Sequence, residues 1–446
     1  MSWPTLPLEL WITHIIPRLN GPDLASLCCT SQNFLTLTRP TLYQRVSFQA
    51  ERNGQPNSSI YSTLSLLERD SELARRVEEL TLDSISESVE RYSRNPTLIH
   101  PASLKNMANI KRLVILGDLS RSASRTEVQS FVEAVHALNL DELAFPSPRA
   151  RPFLLPLRIG QLEKLGNPRR LVFAVRYDDS SRLAPVLHRI FAAAQPTLVS
   201  ICLHVPMHLL EEFFGLRFPR LRSLEVATLG PTLISMPVFS RFLGQHHEQL
   251  EELYLSRDDS EENSFYRSVS IDNIPGPAPT HTAFLPNLRV LRANHETIRV
   301  LGQARVQSLT QLTKLAVAYD HGLAEISVDF LDCFEGVPLS SLVEIEFDLR
   351  RRSRMQRQAM VESIWRVAAL AGRTLEVWAG LFPELIVETF MDKAFPSLRR
   401  LVLPKDVPGE VIHSTFRACA KLEEIWIFQS TLWTLRRGSG DLVRES

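Results

Sequence analysis

The hexapeptide Val77-Glu78-Glu79-Leu80-Thr81-Leu82 consists of an apolar residue, two polar residues, an apolar residue, one variable position and a final apolar residue. The pattern returns along the chain, and its central apolar positions are 23 to 38 residues apart. The thirteen centres are residues 80, 113, 143, 171, 201, 224, 253, 291, 315, 345, 378, 401 and 425. Alternation of apolar and variable positions is typical of strands, so each hexapeptide predicts one short strand.

Between the hexapeptides, the apolar residues change to helical spacing, as in Thr126 to Leu138 and in Met360 to Ala368. The mean spacing of the centres, about 29 residues, lies at the upper end of the leucine-rich-repeat period. We therefore predict an α/β solenoid of about thirteen irregular repeats, with strands on its concave side and helices on its convex side. An ordinary parallel α/β domain would alternate similarly, but it has no reason to keep one hexapeptide pattern.

Composition restricts the function classes. Fifty basic and fifty acidic residues give a formal net charge of zero, which argues against nucleic acid as the main ligand. The five cysteines form no regular disulfide framework, and the start of the chain has no signal segment. No apolar stretch approaches the length of a membrane span. These features predict an intracellular protein, cytoplasmic or nuclear, with no membrane partner.

No motif with catalytic specificity occurs. The chain lacks a Gly-x-Ser-x-Gly elbow, a phosphate loop, a His-Glu-x-x-His motif and a Cys-x-x-Cys motif. His204 and His208 stand four residues apart, but Pro206 lies between them and no further ligand is linked to them. His246-His247-Glu248 is predicted to lie on a solvated helix end. We therefore expect no catalytic residue, no metal and no cofactor, and predict that the chain is not an enzyme.

The N-terminal stretch differs from the repeats. Leu6-Pro7-Leu8-Glu9-Leu10-Trp11 places a proline where a helix begins, and apolar residues follow at helical spacing until Gly21-Pro22. Asp23 can cap a second helix, and a third apolar group closes the segment at residue 42. About forty residues are too few to bury a good core alone, so this module needs a partner surface or the rest of the chain.

Residues 6 to 43 resemble an F-box, through the Leu-Pro-x-Glu-Leu start, Asp23-Leu24, Ser31-x-x-Phe34 and Leu42-Tyr43. In the family, an isoleucine usually stands five residues after the glutamate, whereas here His14 stands there and Ile15 and Ile16 follow. The resemblance implies a three-helix module that binds the Skp-family adaptor and, through it, a cullin scaffold. The implied adaptor contacts are Leu6, Pro7, Leu10, Ile15, Ile16, Leu19, Leu24, Leu27 and Phe34.

These features divide the chain into four parts. Residues 1–48 are the F-box, 49–74 a linker and first helix, 75–430 the solenoid, and 431–446 a tail or cap. A loop insertion at 256–282, rich in acidic residues and proline, is either a contact element or a disordered insertion.

The side chains next to the strand centres are predicted to face the concave surface and to bind a target protein. These candidates are Tyr254, Arg292, Val402, Trp426 and Phe428. Alternatively, the tail from Thr431 folds over the last two repeats as a cap. The resemblance to an F-box implies that the chain recognises substrates in a Skp–cullin–F-box ubiquitin ligase. The alternative is a protein-interaction scaffold that does not cause degradation.

Overall fold

The structure is a computed structural model. It describes residues 10–19, 21–48, 58–82, 101–116, 125–146, 165, 168–174, 180–205, 207–228, 237–257, 285–295, 297–299, 301–302, 309–318, 329–348, 357–380, 394–403, 409–419, 421–427, 431–435 and 442–445. Contacts within the chain divide it into two compact units, unit 1 (Met1–Leu216) and unit 2 (Arg217–Ser446). No described helix is long and apolar enough to cross a membrane.

Unit 1 begins with a helical module and continues as strand–helix repeats. The module consists of short helical segments Trp11–Ile15 and Ile16–Arg18 and of helices Gly21–Cys28 and Gln32–Leu42. The strands of unit 1 are β1 (Arg45–Phe48), β2 (Glu79–Leu82), β3 (Arg112–Ile115), β4 (Glu142–Phe145), β5 (Arg170–Ala174) and β6 (Ser200–His204). They are parallel and pair in sequence order. Its other helices are Ser58–Arg69, Ser71–Ala74, Pro101–Asn106, Arg125–His136, Ser180–Ala194 and Met207–Phe214.

Unit 2 continues the same alternation. Its parallel strands are β7 (Ser223–Thr228), β8 (Glu252–Arg257), β9 (Val290–Asn294), β10 (Lys314–Ala318), β11 (Glu344–Asp348), β12 (Val377–Ala379), β13 (Arg400–Leu403) and β14 (Glu424–Ile427). The antiparallel strands β15 (Thr431–Leu435) and β16 (Leu442–Glu445) follow. Its helical segments are Pro237–Gln245, Asp329–Phe334, Arg357–Ala371 and Gly409–Ala418.

The thirteen predicted centres all lie in strands, and within each unit they are register partners on neighbouring strands. In unit 1 they are Leu80, Leu113, Leu143, Leu171 and Ile201. In unit 2 they are Leu224, Leu253, Leu291, Leu315, Ile345, Trp378, Leu401 and Ile425. None of these side chains is more than 1% exposed. The predicted repeat pattern is therefore confirmed within each unit.

Helices cover the face of the strands to which these centres point. The ring of Phe173, on β5, stacks on Phe145 of β4 with a centroid distance of 4.9 Å. On its other side it contacts Phe191 of helix Ser180–Ala194 at 5.5 Å, and Phe191 in turn contacts Phe213 at 4.9 Å. Continuous burial of aromatic and aliphatic side chains from strand to helix is the main stabilising term of this architecture.

Polar side chains four residues before the strand centres connect successive repeats. Asn109 donates to the Arg75 carbonyl at 2.8 Å, and Thr374 donates to the Leu342 carbonyl at 2.8 Å. The same position supplies Thr197, Gln249, Asn287 and Ser397 as donors to the preceding repeat. These bonds satisfy backbone carbonyls at the turns between repeats.

Strands of the sheet extend into segments that the sequence assigned to other parts of the chain. Arg45–Phe48, assigned by sequence to the F-box, is the first strand of the sheet, with Val46 and Phe48 buried and paired to β2. The predicted linker and first helix, 49–74, contain helices Ser58–Arg69 and Ser71–Ala74, and residues 49–57 lie outside the described residues. In the tail, β15 and β16 extend the sheet by antiparallel pairing. Of the predicted loop 256–282, Ser256 and Arg257 belong to β8, and residues 258–282 lie outside the described residues.

Candidate interaction surfaces

The N-terminal module has an internal core and an apolar surface. Ile16 and Leu24 are 2% and 4% exposed, so they hold the helical segments together. By contrast, Leu10 and Ile12 are 40% and 51% exposed, although both are large apolar side chains. The ring of Trp11 contacts Phe34 edge-on at 4.8 Å, which joins the first segment to helix Gln32–Leu42.

The predicted adaptor contacts therefore separate into different environments. Leu10 is exposed, whereas Ile15, Leu19, Leu27 and Phe34 are partly buried. Ile16 and Leu24 were predicted as contacts, but their burial leaves almost no side-chain surface for a partner. Leu6 and Pro7 lie outside the described residues.

Sequence reasoning missed Ile12 as a surface residue. Ile12 precedes Ile15 by three residues and Ile16 by four, which is the spacing of one helix face. That spacing was the available signal for an apolar residue near the predicted contacts. The segment is a π-helical turn followed by a 3-10 turn, so Ile12 is exposed although Ile16 is buried.

The module is joined to the first repeat by polar contacts as well as by β1. The Arg39 guanidinium lies 3.0 Å from the Asp70 carboxylate, across the boundary between the module and the repeat. Asp70 also caps helix Ser71–Ala74, since its Oδ1 accepts from the Leu73 N–H at 3.0 Å. The Gln44 carbonyl accepts from the Glu78 and Glu79 N–H groups at 2.9 and 3.0 Å. The module and the first repeat of unit 1 are therefore directly connected.

Most strands begin with a charged residue. The residue just before each centre, together with Arg45 at the start of β1, forms a row that we call the entry row. In unit 1 its first five members alternate in sign, as Arg45, Glu79, Arg112, Glu142 and Arg170. Arg112 lies 2.6 Å from Glu79 and 2.8 Å from Glu142, and these contacts, first of all the hydrogen bond to Glu142, raise the pKa of Arg112. In unit 1, therefore, the entry row is largely neutralised by its own members.

The residue just after each centre defines a second row, the middle row. In unit 1 it includes Val114, Ala144 and Cys202, which are 6%, 2% and 5% exposed. In unit 2 it consists of Glu225, Tyr254, Arg292, Ala316, Glu346, Ala379, Val402 and Trp426. The middle row of unit 2 thus has larger and more polar side chains than those three residues of unit 1.

The predicted target-binding residues form two groups on unit 2. Tyr254 and Arg292 are partners on β8 and β9, and both are half-buried. Burial, and then the charge of Glu252, raises the pKa of Tyr254. Val402 and Trp426 are partners on β13 and β14, and β10 to β12 separate them from the first group. Phe428 lies outside the described residues.

Lys314 lies between the two groups, in the entry row. Its Nζ lies 2.7 Å from Glu344 and 3.4 Å from Glu346. Burial alone would lower the pKa of Lys314, but the two carboxylates outweigh it and raise the pKa. Lys314 is therefore a charged, partly buried residue that connects β10 to the two carboxylates on β11.

Trp426 is the exposed aromatic residue in the middle row of unit 2. It is 42% exposed, and its indole N–H donates to Glu424 Oε2 at 3.0 Å. Arg400 Nε donates to the same oxygen at 2.8 Å. The indole hydrogen bond, followed by the Arg400 contact, lowers the pKa of Glu424, so its carboxylate is ionised at neutral pH.

His246 has a different environment from the one predicted. It is fully buried, and its Nε2 accepts from the Phe218 N–H at 2.9 Å while Nδ1 lies 2.7 Å from the Phe242 carbonyl. Desolvation lowers the pKa of His246, so the neutral imidazole with its proton on Nδ1 fits both contacts. The prediction of a solvated position was therefore wrong for His246, whereas His247 hydrogen-bonds at an exposed site.

No family model and no curated protein matches the chain. Rad7 of yeast, solved in complex with Elc1, is 14% identical, with 88% of this chain and 85% of that chain covered and a TM-score of 0.42. The leucine-rich-repeat protein LegL7 from Legionella pneumophila is 10% identical, with 90% and 92% covered and a TM-score of 0.33. TLR13 in complex with ssRNA13 is 13% identical, with 81% and 61% covered and a TM-score of 0.32.

Proposed function

We propose that this chain is the target-binding subunit of a Skp–cullin–F-box ubiquitin ligase. The observation that carries the proposal is the N-terminal module, whose sequence resembles an F-box and whose own core is closed by Ile16 and Leu24 while Leu10 and Ile12 stay exposed. Large apolar side chains that stay exposed in a small helical module favour a protein-binding surface. The adaptor of the Skp family is the partner that this resemblance implies, and a cullin would be reached through the adaptor.

The repeats would hold the target protein, and the chain would need no catalytic residue of its own. Binding both a target and a ligase scaffold raises the effective concentration of the target near the ubiquitin carrier. Parallel repeats with variable side chains beside buried centres supply a surface for such a target without any cofactor. This role places the protein in the cytoplasm, the nucleus or both.

The first test is co-purification of the full chain with a Skp-family adaptor. Leu10→Asp combined with Ile12→Asp should reduce adaptor recovery at least about tenfold, because it puts two charges into an apolar contact. The unfolding midpoint should change little, because both side chains are exposed.

Trp365→Ala is the matched control for that test. Trp365 is also a large exposed apolar side chain, 45% exposed, but it lies on helix Arg357–Ala371 of unit 2. Adaptor recovery should be normal with this variant. Equal recovery from the double variant and from the wild type would refute the proposed adaptor contact.

A second measurement separates degradation from scaffolding. Proteins that co-purify with the wild type should become more abundant and less ubiquitinated in cells that contain only the Leu10→Asp, Ile12→Asp variant. If their abundance and ubiquitination are unchanged while adaptor binding is lost, a scaffold without degradation is the better description.

A further inference from the structure

The sheet surface near the end of unit 2 differs from that of unit 1 in the availability of its charged and aromatic groups. In unit 1, Arg112 contacts the acidic residues on both neighbouring strands, and the middle-row residues Val114 and Ala144 are buried. On β13 and β14 of unit 2, Arg400, Val402, Glu424 and Trp426 are adjacent positions of the two rows. Trp426 rises from this surface with 42% of its area exposed.

The orientation of the Trp426 ring is fixed by Glu424. The indole N–H and the Arg400 Nε both donate to Oε2 of this carboxylate, at 3.0 and 2.8 Å. The Glu424 side chain is itself 33% exposed, and an ionised carboxylate can accept more than two hydrogen bonds. A ring held by its edge presents its face without losing much side-chain entropy on binding.

The neighbouring positions are smaller. Ala379 is the register partner of Val402, which in turn is the partner of Trp426, and Ala379 is 9% exposed. Side-chain size therefore rises from Ala379 to Val402 to Trp426 over three strands, about 10 Å at the usual strand spacing. This step forms a shallow apolar floor with an aromatic wall beside it.

The Glu424 carboxylate and the indole face decide which kind of side chain would complement this wall. One oxygen of this carboxylate, Oε2, is shared by Arg400 and Trp426. The face of an indole attracts cations, more strongly than that of phenylalanine or tyrosine. An arginine or lysine could stack on Trp426 and donate to Glu424 at the same time, whereas an acidic group would meet the carboxylate.

Building on the proposed function, we infer that Trp426 and Glu424 form a docking site for a basic side chain of the target protein, with an adjacent apolar side chain over Ala379 and Val402. The occupant is thus an extended target segment that has an apolar residue close to an arginine or lysine. Glu424 positions the ring and accepts a hydrogen bond from the cation, and Trp426 supplies the stacking surface.

The test uses the full chain and two fluorescein-labelled hexapeptides, measured by fluorescence anisotropy. One peptide contains a leucine and an arginine, and the other has citrulline instead of arginine, which keeps the shape and removes the charge. The wild type should bind the arginine peptide about tenfold more tightly than the citrulline peptide, the range expected of a cation–aromatic contact with a hydrogen bond to a carboxylate.

Substitutions then test whether Trp426 and Glu424 cause the discrimination between the arginine and citrulline peptides. Glu424→Gln should reduce the ratio between the two peptides to about one to threefold. Trp426→Ala should weaken binding of the arginine peptide about tenfold, while Trp426→Phe should have an intermediate affinity. Trp365→Ala and Arg112→Gln are the controls, and they should leave the ratio unchanged. Thermal unfolding of each variant checks that it is folded.

The inference is wrong if the wild type fails to bind the arginine peptide, if it binds both peptides equally, or if Trp426→Ala binds like the wild type. The adaptor co-purification described above reports separately on the proposed function. If the wild type does not discriminate between the peptides but recovers the adaptor normally, only the inference about this site is refuted. If it discriminates between the peptides but does not recover the adaptor, the ligase role is refuted and the inference about the site stands.

Discussion

At the scale of single residues, His246 shows how the structure assigns a chemical state that the sequence conceals. In sequence it is followed by His247, Glu248 and Gln249, a polar run that suggests solvent. In the structure its ring lies against Phe242, with centroids 4.2 Å apart, and both ring nitrogens have backbone partners. The spacing of four between Phe242 and His246 was the only sequence signal, and the polar neighbours outweighed it.

This environment predicts acid sensitivity. Because the pKa of His246 is lowered in the folded state, the unfolded state takes up a proton first as the pH falls below about 6.5. The contribution of His246 to stability is therefore complete above that pH, declines below it, and stops changing below the folded-state pKa. Urea unfolding at pH 8.0 and pH 5.5 should show a smaller loss on acidification for His246→Gln than for the wild type.

The adjacent histidine provides the control. His247→Gln should keep the wild-type pH dependence, because this side chain lies at an exposed hydrogen bond to Gly244. An identical pH dependence in His246→Gln and the wild type would show that His246 is not the group responsible.

At the scale of elements, the strand centres were predictable, but the contacts between neighbouring repeats were only partly so. Buried centres are specified locally, because alternation of apolar and variable positions within one hexapeptide is enough to predict a strand. The donors four residues earlier also leave a local trace, since Asn109, Thr197, Asn287 and Ser397 each precede the first apolar residue of a hexapeptide. The alternating entry row became evident only once strand register placed residues about thirty positions apart side by side.

The alternation predicts that charge reversal at Arg112 is destabilising and sensitive to salt. Arg112→Glu replaces contacts with Glu79 and Glu142 by repulsion from both, and the free energy of unfolding should fall by about 1 kcal/mol at low salt. The value is modest because the Arg112 side chain is 45% exposed. Urea unfolding in 50 mM and 1 M NaCl should show the deficit shrinking at high salt.

Arg112→Met is the comparison for that measurement, since it keeps most of the apolar stem and removes the charge without adding repulsion. Its deficit should be smaller and should depend less on salt. If the deficit of Arg112→Glu does not change with salt, its cause is packing and not the charge row.

At the scale of the whole molecule, the sequence predicted a helical module followed by strand–helix repeats but placed their boundary too late. Arg45–Phe48 begins three residues after helix Gln32–Leu42 ends, and neither Tyr43 nor Gln44 between them is a typical turn-forming residue. Its membership of the sheet depends on pairing with β2, more than thirty residues away, which no local pattern reveals. For the same reason, sequence spacing could not distinguish Ile16 and Leu24, which close the module, from Leu10, which faces outward.

Two N-terminal deletions test this boundary. Removal of residues 1–42 takes away the module but keeps β1, whereas removal of 1–48 also takes away Val46 and Phe48 and uncovers the edge of β2. The longer deletion should have the lower unfolding temperature and the greater tendency to aggregate, because an unpaired strand edge and buried apolar surface become exposed. Equal unfolding temperatures and solubility would mean that β1 does not contribute to the stability of the repeats.

Because β1 enters the sheet three residues after helix Gln32–Leu42 ends, and Arg39 is paired to Asp70 beyond the junction, the joint has little freedom to swivel. A protein that binds the exposed side chains of Leu10 and Ile12 would consequently have a fixed orientation relative to the first repeats of unit 1. Such a rigid junction would determine the angle at which the repeats are held, as well as their distance from the bound protein.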